Sequence, residues 1–179
     1  MIHRPLGLTS EEAMASGEVF GLEHGVTYDQ QGKIQMDRFV RKLGGTVCIL
    51  SNSHYDDLMY VYDENRFQVN LADNTSHRLD RFTIARALGH YELHFIRARA
   101  TSADGVTPAQ AIFEKNGLSE ADREAHDFAV GLLLPTKVFR ALYDRTHGEV
   151  SRMAEQTDLP VWLVEERLEM YATSQKKLA

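Results

Sequence analysis

RFTIARALGHYELH, residues 81–94, is the stretch that most constrains the fold of this chain. It lies within a longer run, 76–96, in which four apolar residues recur at helical spacing: Ile84, Leu88, Tyr91 and Phe95. This spacing predicts a helix with one buried face. The opposite face carries Arg86, His90, His94 and Arg97. A helix divided in this way either lines a cleft or covers the surface of a domain.

The segments on either side of this helix predict an α+β fold. A helix is predicted over Lys33–Leu43, followed by three strands over Thr46–Leu50, Leu58–Tyr62 and Arg66–Leu71. These strands would form a small three-stranded sheet, mixed or antiparallel. The stretch Ala98–Gly117 is predicted as a loop or lid, because small and polar residues dominate it. A helix is then predicted to begin at Ser119, and three more follow, at about 136–145, 148–157 and 160–173.

The length of 179 residues fits one domain with a small appendage. Residues 1–28 contain several glycines among short apolar stretches, so they are predicted to form a loosely ordered arm with at most one short helix. The domain is predicted over 29–175, and 176–179 is a tail. The domain is predicted to be helical apart from its small sheet.

The composition of the chain restricts which kinds of binding partner and which cellular compartment we expect. The net charge is −6, and no basic patch is visible, so direct binding to nucleic acid is not expected. No apolar run approaches the roughly 18 to 20 residues that span a bilayer, so no membrane association is expected. The single cysteine, Cys48, suits the reducing cytoplasm. We therefore expect a cytoplasmic protein that binds a protein or a small molecule.

Two segments carry a resemblance to a known family. RFTIARALGHYELH resembles the zinc helix of the ImmA/IrrE metallo-endopeptidases, which commonly reads RFTIAHELGHYLLH, and EAHDFAVGLLLP at Glu124–Pro135 resembles that family's EANxFAAELLMP. The resemblance covers roughly residues 29–172 and implies a zincin-like fold. In that family two histidines of HExxH and a later carboxylate bind zinc, and the glutamate of HExxH acts as general base. Its members are associated with cleavage of helix-turn-helix repressors.

This sequence departs from the family at the two positions that matter most for chemistry. The first zinc histidine is replaced by Arg86 and the catalytic glutamate by Ala87, whereas the ligand positions His90 and Glu124 are retained. Arginine stays charged and cannot ligate a cation, and alanine cannot move a proton. We therefore predict a pseudo-metallopeptidase without catalytic residues or cofactor. An Arg86–Glu124 ion pair is predicted to fill the space of the zinc, with Arg86 directed to solvent as the alternative.

Two other interpretations stay open, so the sequence alone leaves enzymatic activity undecided. His90 and His94 are four residues apart, and with Glu124 they could form a shifted zinc site in an active endopeptidase that cleaves a repressor. Alternatively, the replacements at 86 and 87 could be an engineered inactivation. In every case the resemblance implies regulation of a repressor-controlled pathway, such as phage, mobile-element, toxin–antitoxin or stress control. The expected partner is an Xre-type repressor or a toxin–antitoxin component. His126 is expected on the outward, solvated side of its helix.

Overall fold

The structure, a computed structural model, describes residues 4–51, 57–101, 110–114 and 118–178. It has the predicted α+β architecture, with helices dominant. The α-helices are α1 (Ser10–Glu23), α2 (Met36–Lys42), α3 (His77–Gly89), α4 (Ala98–Thr101), α5 (Glu120–Leu133), α6 (Thr136–Thr146), α7 (Val150–Thr157) and α8 (Val161–Leu178). None of these helices has both the length and the apolar character that crossing a membrane requires.

The sheet is mixed and has four strands rather than the three predicted. The strands are β1 (Gly45–Leu50), β2 (Asp57–Asp63), β3 (Arg66–Ala72) and β4 (Ala111–Glu114), in the order β1-β3-β2-β4. β1 runs parallel to β3, and β2 runs antiparallel to both β3 and β4. The prediction of a loop or lid over Ala98–Gly117 was wrong at α4 and β4, which are each only four residues long and give almost no periodic signal, and its residues 102–109 and 115–117 lie outside the described part of the chain. The alternation of β4 is nevertheless clear in the structure, with Ala111 and Phe113 buried.

The segment that follows α3 continues as a π-helix over His90–Arg97. The four apolar residues predicted to form a buried stripe are all buried in the structure. The histidines of the opposite face, His90 and His94, are buried as well. A Cβ added at Gly89 would lie 2.8 Å from the Ala125 carbonyl oxygen, so α3 and α5 approach closely at that point. α5 therefore covers the histidine face of this helix, which the sequence predicted to lie either in a cleft or at the surface.

The N-terminal segment is ordered over α1, and the expectation of a loose arm was wrong there. Thr9 caps this helix and forms a capping box with Glu12. A Cβ added at Gly17 would lie 2.1 Å from the Phe128 carbonyl oxygen, and one added at Gly131 would lie 1.9 Å from that of Met14. The glycines allow the backbones of α1 and α5 to touch. The sequence alone does not show what a glycine faces, so Gly17 indicated only an interruption of regular structure.

Candidate functional site

An ion pair joins α3 to α5 at the position where the sequence carries its unusual arginine. Arg86 Nη2 lies 2.9 Å from Asp122 Oδ1, and the two side chains are only 16% and 14% exposed. Asp122 also accepts hydrogen bonds from the backbone and the hydroxyl of Ser119, in the capping box of α5. Burial favours the protonated acid, but the nearby His90 imidazole and the hydrogen bonds from Ser119 and Arg86 outweigh it. They hold the pKa of Asp122 well below its usual value.

Glu124 has different partners, so the predicted Arg86–Glu124 ion pair is not the pair that forms. The Glu124 carboxylate is fully buried and accepts hydrogen bonds from the backbone N–H of Leu6 at 2.9 Å and of Leu8 at 2.8 Å. His94 Nε2 lies 2.9 Å from its Oε2 atom. Helix register explains the difference. Gly89 of α3 faces Ala125 of α5. Arg86 lies three residues before Gly89, and Asp122 lies three residues before Ala125, so these two side chains are level with each other.

These contacts also set the charge of Glu124. Burial raises the pKa of this carboxyl group, but the bond from His94 and the two backbone N–H groups act more strongly in the opposite direction. The net result is a pKa below the ordinary value for glutamate. Glu124 is therefore an anion at neutral pH, fully engaged with the N-terminal segment and one imidazole.

His90 and His94 form a buried hydrogen-bonded chain with Glu124. Their Nδ1 atoms lie 3.1 Å apart, so one donates and the other accepts. His94 Nε2 faces the Glu124 carboxylate, and at the other end of the chain His90 Nε2 faces Asp122. That atom lies 3.3 Å from Asp122 Oδ1, and it is buried without a well-aligned hydrogen bond. Burial, more than the nearby positive charges, lowers the pKa of His90 to about 4.

Comparison with known proteins gives the family of the chain. Residues 40–169 match the family model of the IrrE N-terminal-like domain, peptidase family M78, which spans more than half of the sequence. The chain belongs to this family. The family assignment that the two sequence signatures suggested is thereby confirmed. A search of curated proteins found no match to this IrrE-like chain.

Among solved structures, the IrrE-like chain is similar to a Mycobacterium tuberculosis transcriptional regulator. The TM-score is 0.58 at 20% sequence identity, and the match covers 88% of this chain and 46% of the other. At this identity the likeness concerns the fold alone. The IrrE-like chain spans less than half the length of that regulator.

The donor atoms of this IrrE-like chain do not fit a zinc ion at the family position. A guanidinium group stands where the family has its first ligand, and it is bonded to Asp122. Both ring nitrogens of His94 are bonded, one to His90 and one to Glu124. An ion held by the shifted set His90, His94 and Glu124 would have to displace these bonds and those from the N-terminal backbone. Ala87 is fully buried and offers no acid or base.

Sequence reasoning missed two parts of this site. Asp122 forms the capping box of α5 with one oxygen, and no pattern in the sequence indicates that its other oxygen meets Arg86. The N–H groups of Leu6 and Leu8 were also missed, since a backbone donor leaves no mark on residue type. The buried position of Glu124 beside the apolar face of its helix was the one available signal that it needed a partner.

Proposed function

We propose that this chain is a non-catalytic member of the IrrE-like family that acts in regulation by binding a protein. The Arg86–Asp122 ion pair is the observation that carries the proposal. A metallopeptidase of this fold needs a ligand and a base at positions 86 and 87, and here one side chain is a cation and the other a methyl group. The remaining family ligand positions, His90 and Glu124, are engaged with neighbouring protein groups.

The partner is proposed to be a protein, of the Xre-type repressor class or a toxin–antitoxin component. The family supports a role in a repressor-controlled pathway, and the structural neighbour is named as a transcriptional regulator. The net charge of −6 disfavours the phosphate backbone of nucleic acid as the direct partner. An acidic protein is instead suited to a basic surface such as that of a DNA-binding domain.

The direct test is to incubate the purified chain with purified Xre-type repressors from its own source organism. We expect a stable complex by size-exclusion chromatography, and an intact repressor after prolonged incubation with added zinc. Repressor fragments that disappear when a chelator is present would establish the active alternative instead. A complex formed by an unrelated acidic protein of similar size would show that charge alone explains the association.

A restoration experiment tests the chemical half of the proposal. The double variant Arg86→His with Ala87→Glu supplies both missing family groups. It is expected to bind one zinc ion more per chain than the wild type, measured by elemental analysis. The matched control is the single variant Arg86→Ala, which removes the cation without adding a ligand and should gain none. If the double variant gains no zinc, the replacements at 86 and 87 are not what keeps the metal out.

A further inference from the structure

A second group of metal-ligating side chains lies away from the family site. His126 and Asp127 on α5 and Glu166 on α8 each offer a ligand atom, and these atoms lie within 4.8 Å of one another. His126 follows Glu124 by two residues, about 200° around the helix, so it projects from another side of α5. The expectation that His126 is solvated was only partly right, since its side chain is 31% exposed and is bonded to Glu166.

The three side chains are already held in place. His126 Nε2 lies 2.8 Å from one carboxylate oxygen of Glu166 and 3.0 Å from the other. The imidazole packs beside two aromatic rings that also contact each other, with its centroid 5.1 Å from that of Phe82 and 5.9 Å from that of Trp162. Ligands whose rotamers are fixed by packing lose little conformational entropy when they bind an ion.

Asp127 is the most buried of the three, with its side chain only 4% exposed. Arg123 Nη1 lies 3.0 Å from its Oδ2 atom, which orients the carboxylate. The same arginine donates to the Leu8 carbonyl at 2.7 Å, so its position does not depend on Asp127 alone. The second oxygen of the carboxylate can serve as a ligand while the first stays paired with the guanidinium.

We propose that His126, Asp127 and Glu166 bind a divalent transition-metal ion of the zinc type. One imidazole nitrogen and two carboxylate oxygens are a donor set that such ions accept, at about 2.0 to 2.2 Å from each atom. Shifts of about 1 Å would bring the three atoms to that distance from a common centre. Glu166 is 31% exposed, like His126, so water can complete the coordination. The ion would link α5 to α8. Its binding would not require the family site to be catalytic.

The experiment is a calorimetric zinc titration of the full chain after metal is stripped with chelator. We expect one ion per chain with a micromolar or tighter dissociation constant. Glu166→Gln is expected to weaken binding at least tenfold, because it removes a charged ligand but keeps an acceptor for the imidazole. Thermal unfolding is the second measurement: zinc should raise the midpoint of the wild type and not that of Glu166→Gln.

The matched control is His90→Gln, which alters the family position and leaves the new cluster intact. It is expected to bind zinc as the wild type does. The proposal is overturned if the wild type binds zinc only at millimolar concentration, if Glu166→Gln binds equally well, or if His90→Gln abolishes binding. The first two outcomes do not bear on whether the chain binds a repressor without cleaving it, whereas the third would place zinc at the family position and count against both proposals.

Discussion

Arg86 Nη2 and Asp122 Oδ1 lie 2.9 Å apart and join the last turn of α3 to the first turn of α5. Where the family has a metal ligand, this chain has the positive charge of Arg86, and the Asp122 carboxylate neutralises it. Both side chains are largely shielded from water, so neither charge can lose its partner without a cost in stability. The carboxylate sits in addition at the N-terminus of a helix, where negative charge is favoured.

Replacing Arg86 by alanine should therefore destabilise the fold. The Asp122 carboxylate would keep its bonds to Ser119 but lose its strongest cationic partner. We expect the free energy of unfolding to fall by about 1–3 kcal/mol, measured by urea denaturation. The control is Arg66→Ala, which breaks an ion pair with Asp63 whose side chains are 69% and 51% exposed. It should cost less than about 1 kcal/mol, and equal losses in both variants would contradict the argument.

Glu124→Gln tests the anchoring of the N-terminal segment. The substitution keeps the size of the side chain but turns an NH2 group toward His94 or toward the N–H of Leu6 or Leu8. We expect a loss of about 2–4 kcal/mol in the free energy of unfolding, with faster amide hydrogen exchange at Leu6 and Leu8. The control Glu120→Gln, at an exposed position of the same helix, should cost no more than about 0.5 kcal/mol. Unchanged exchange at both amides would contradict this role.

Stability should also depend on pH through His90. Its pKa is about 4 in the folded protein and near 6.5 when unfolded, so between these values the unfolded chain binds more protons. The free energy of unfolding therefore falls as pH is lowered from 6.5 to 4, by up to about 1.4 kcal/mol per pH unit from this group. The contribution of Glu124 acts at lower pH, because a carboxylate with a lowered pKa loses its stabilising effect when it is protonated.

Urea denaturation across this pH range measures the effect, with His90→Gln as the comparison. The variant has no imidazole at position 90 to protonate, so its stability should fall less steeply than that of the wild type between pH 6.5 and 4. At pH 8 the difference between the two proteins reports only the change in packing. Parallel curves over the whole range would show that another group controls the pH dependence.

Gly131→Ala should be among the most damaging small substitutions in α5. The added Cβ would lie 1.9 Å from the Met14 carbonyl oxygen, so α1 must move away from α5. We expect a loss of about 3 kcal/mol or more by thermal or urea unfolding, despite the better helix propensity of alanine. At Gly7 a Cβ would meet nothing within 4 Å, although φ is +74°, so Gly7→Ala should cost only about 1–2 kcal/mol. Similar losses at both positions would mean that α1 and α5 move apart at little cost, and would contradict the importance of the helix contact.

The sequence predicted the elements that have a strong period. The buried stripe of α3, the alternating strand β3 and the capped start of α5 at Ser119 all lie where their patterns indicated. β4 was missed because four residues carry too few repeats of a two-residue period. The order of the N-terminal segment was underestimated, since its glycines indicated a loose arm with one short helix, whereas the role of Gly17 depends on a helix more than a hundred residues away.

The structure brings Arg86, His90, His94 and Glu124 into one region but pairs them differently from the prediction. The resemblance to the two family signatures implied the importance of Arg86, His90 and Glu124, and the four-residue spacing from His90 added His94. Asp122 is the partner of Arg86 because of how α3 and α5 align along their lengths. No pattern in the amino-acid sequence indicates this alignment. The π-helix over His90–Arg97 gave no signal either, because its residues have the same types as those of an α-helix.

The contact between α1 and α5 has a consequence for how the protein is made. Translation delivers α1 about a hundred residues before α5, the helix whose backbone it touches at Gly17 and Gly131. At common elongation rates of about 5–20 residues per second, α1 waits for several seconds without its neighbour. During that interval Phe20, fully buried later, is exposed to chaperones and proteases. α1 is therefore covered only once the later segment that contains α5 has left the ribosome.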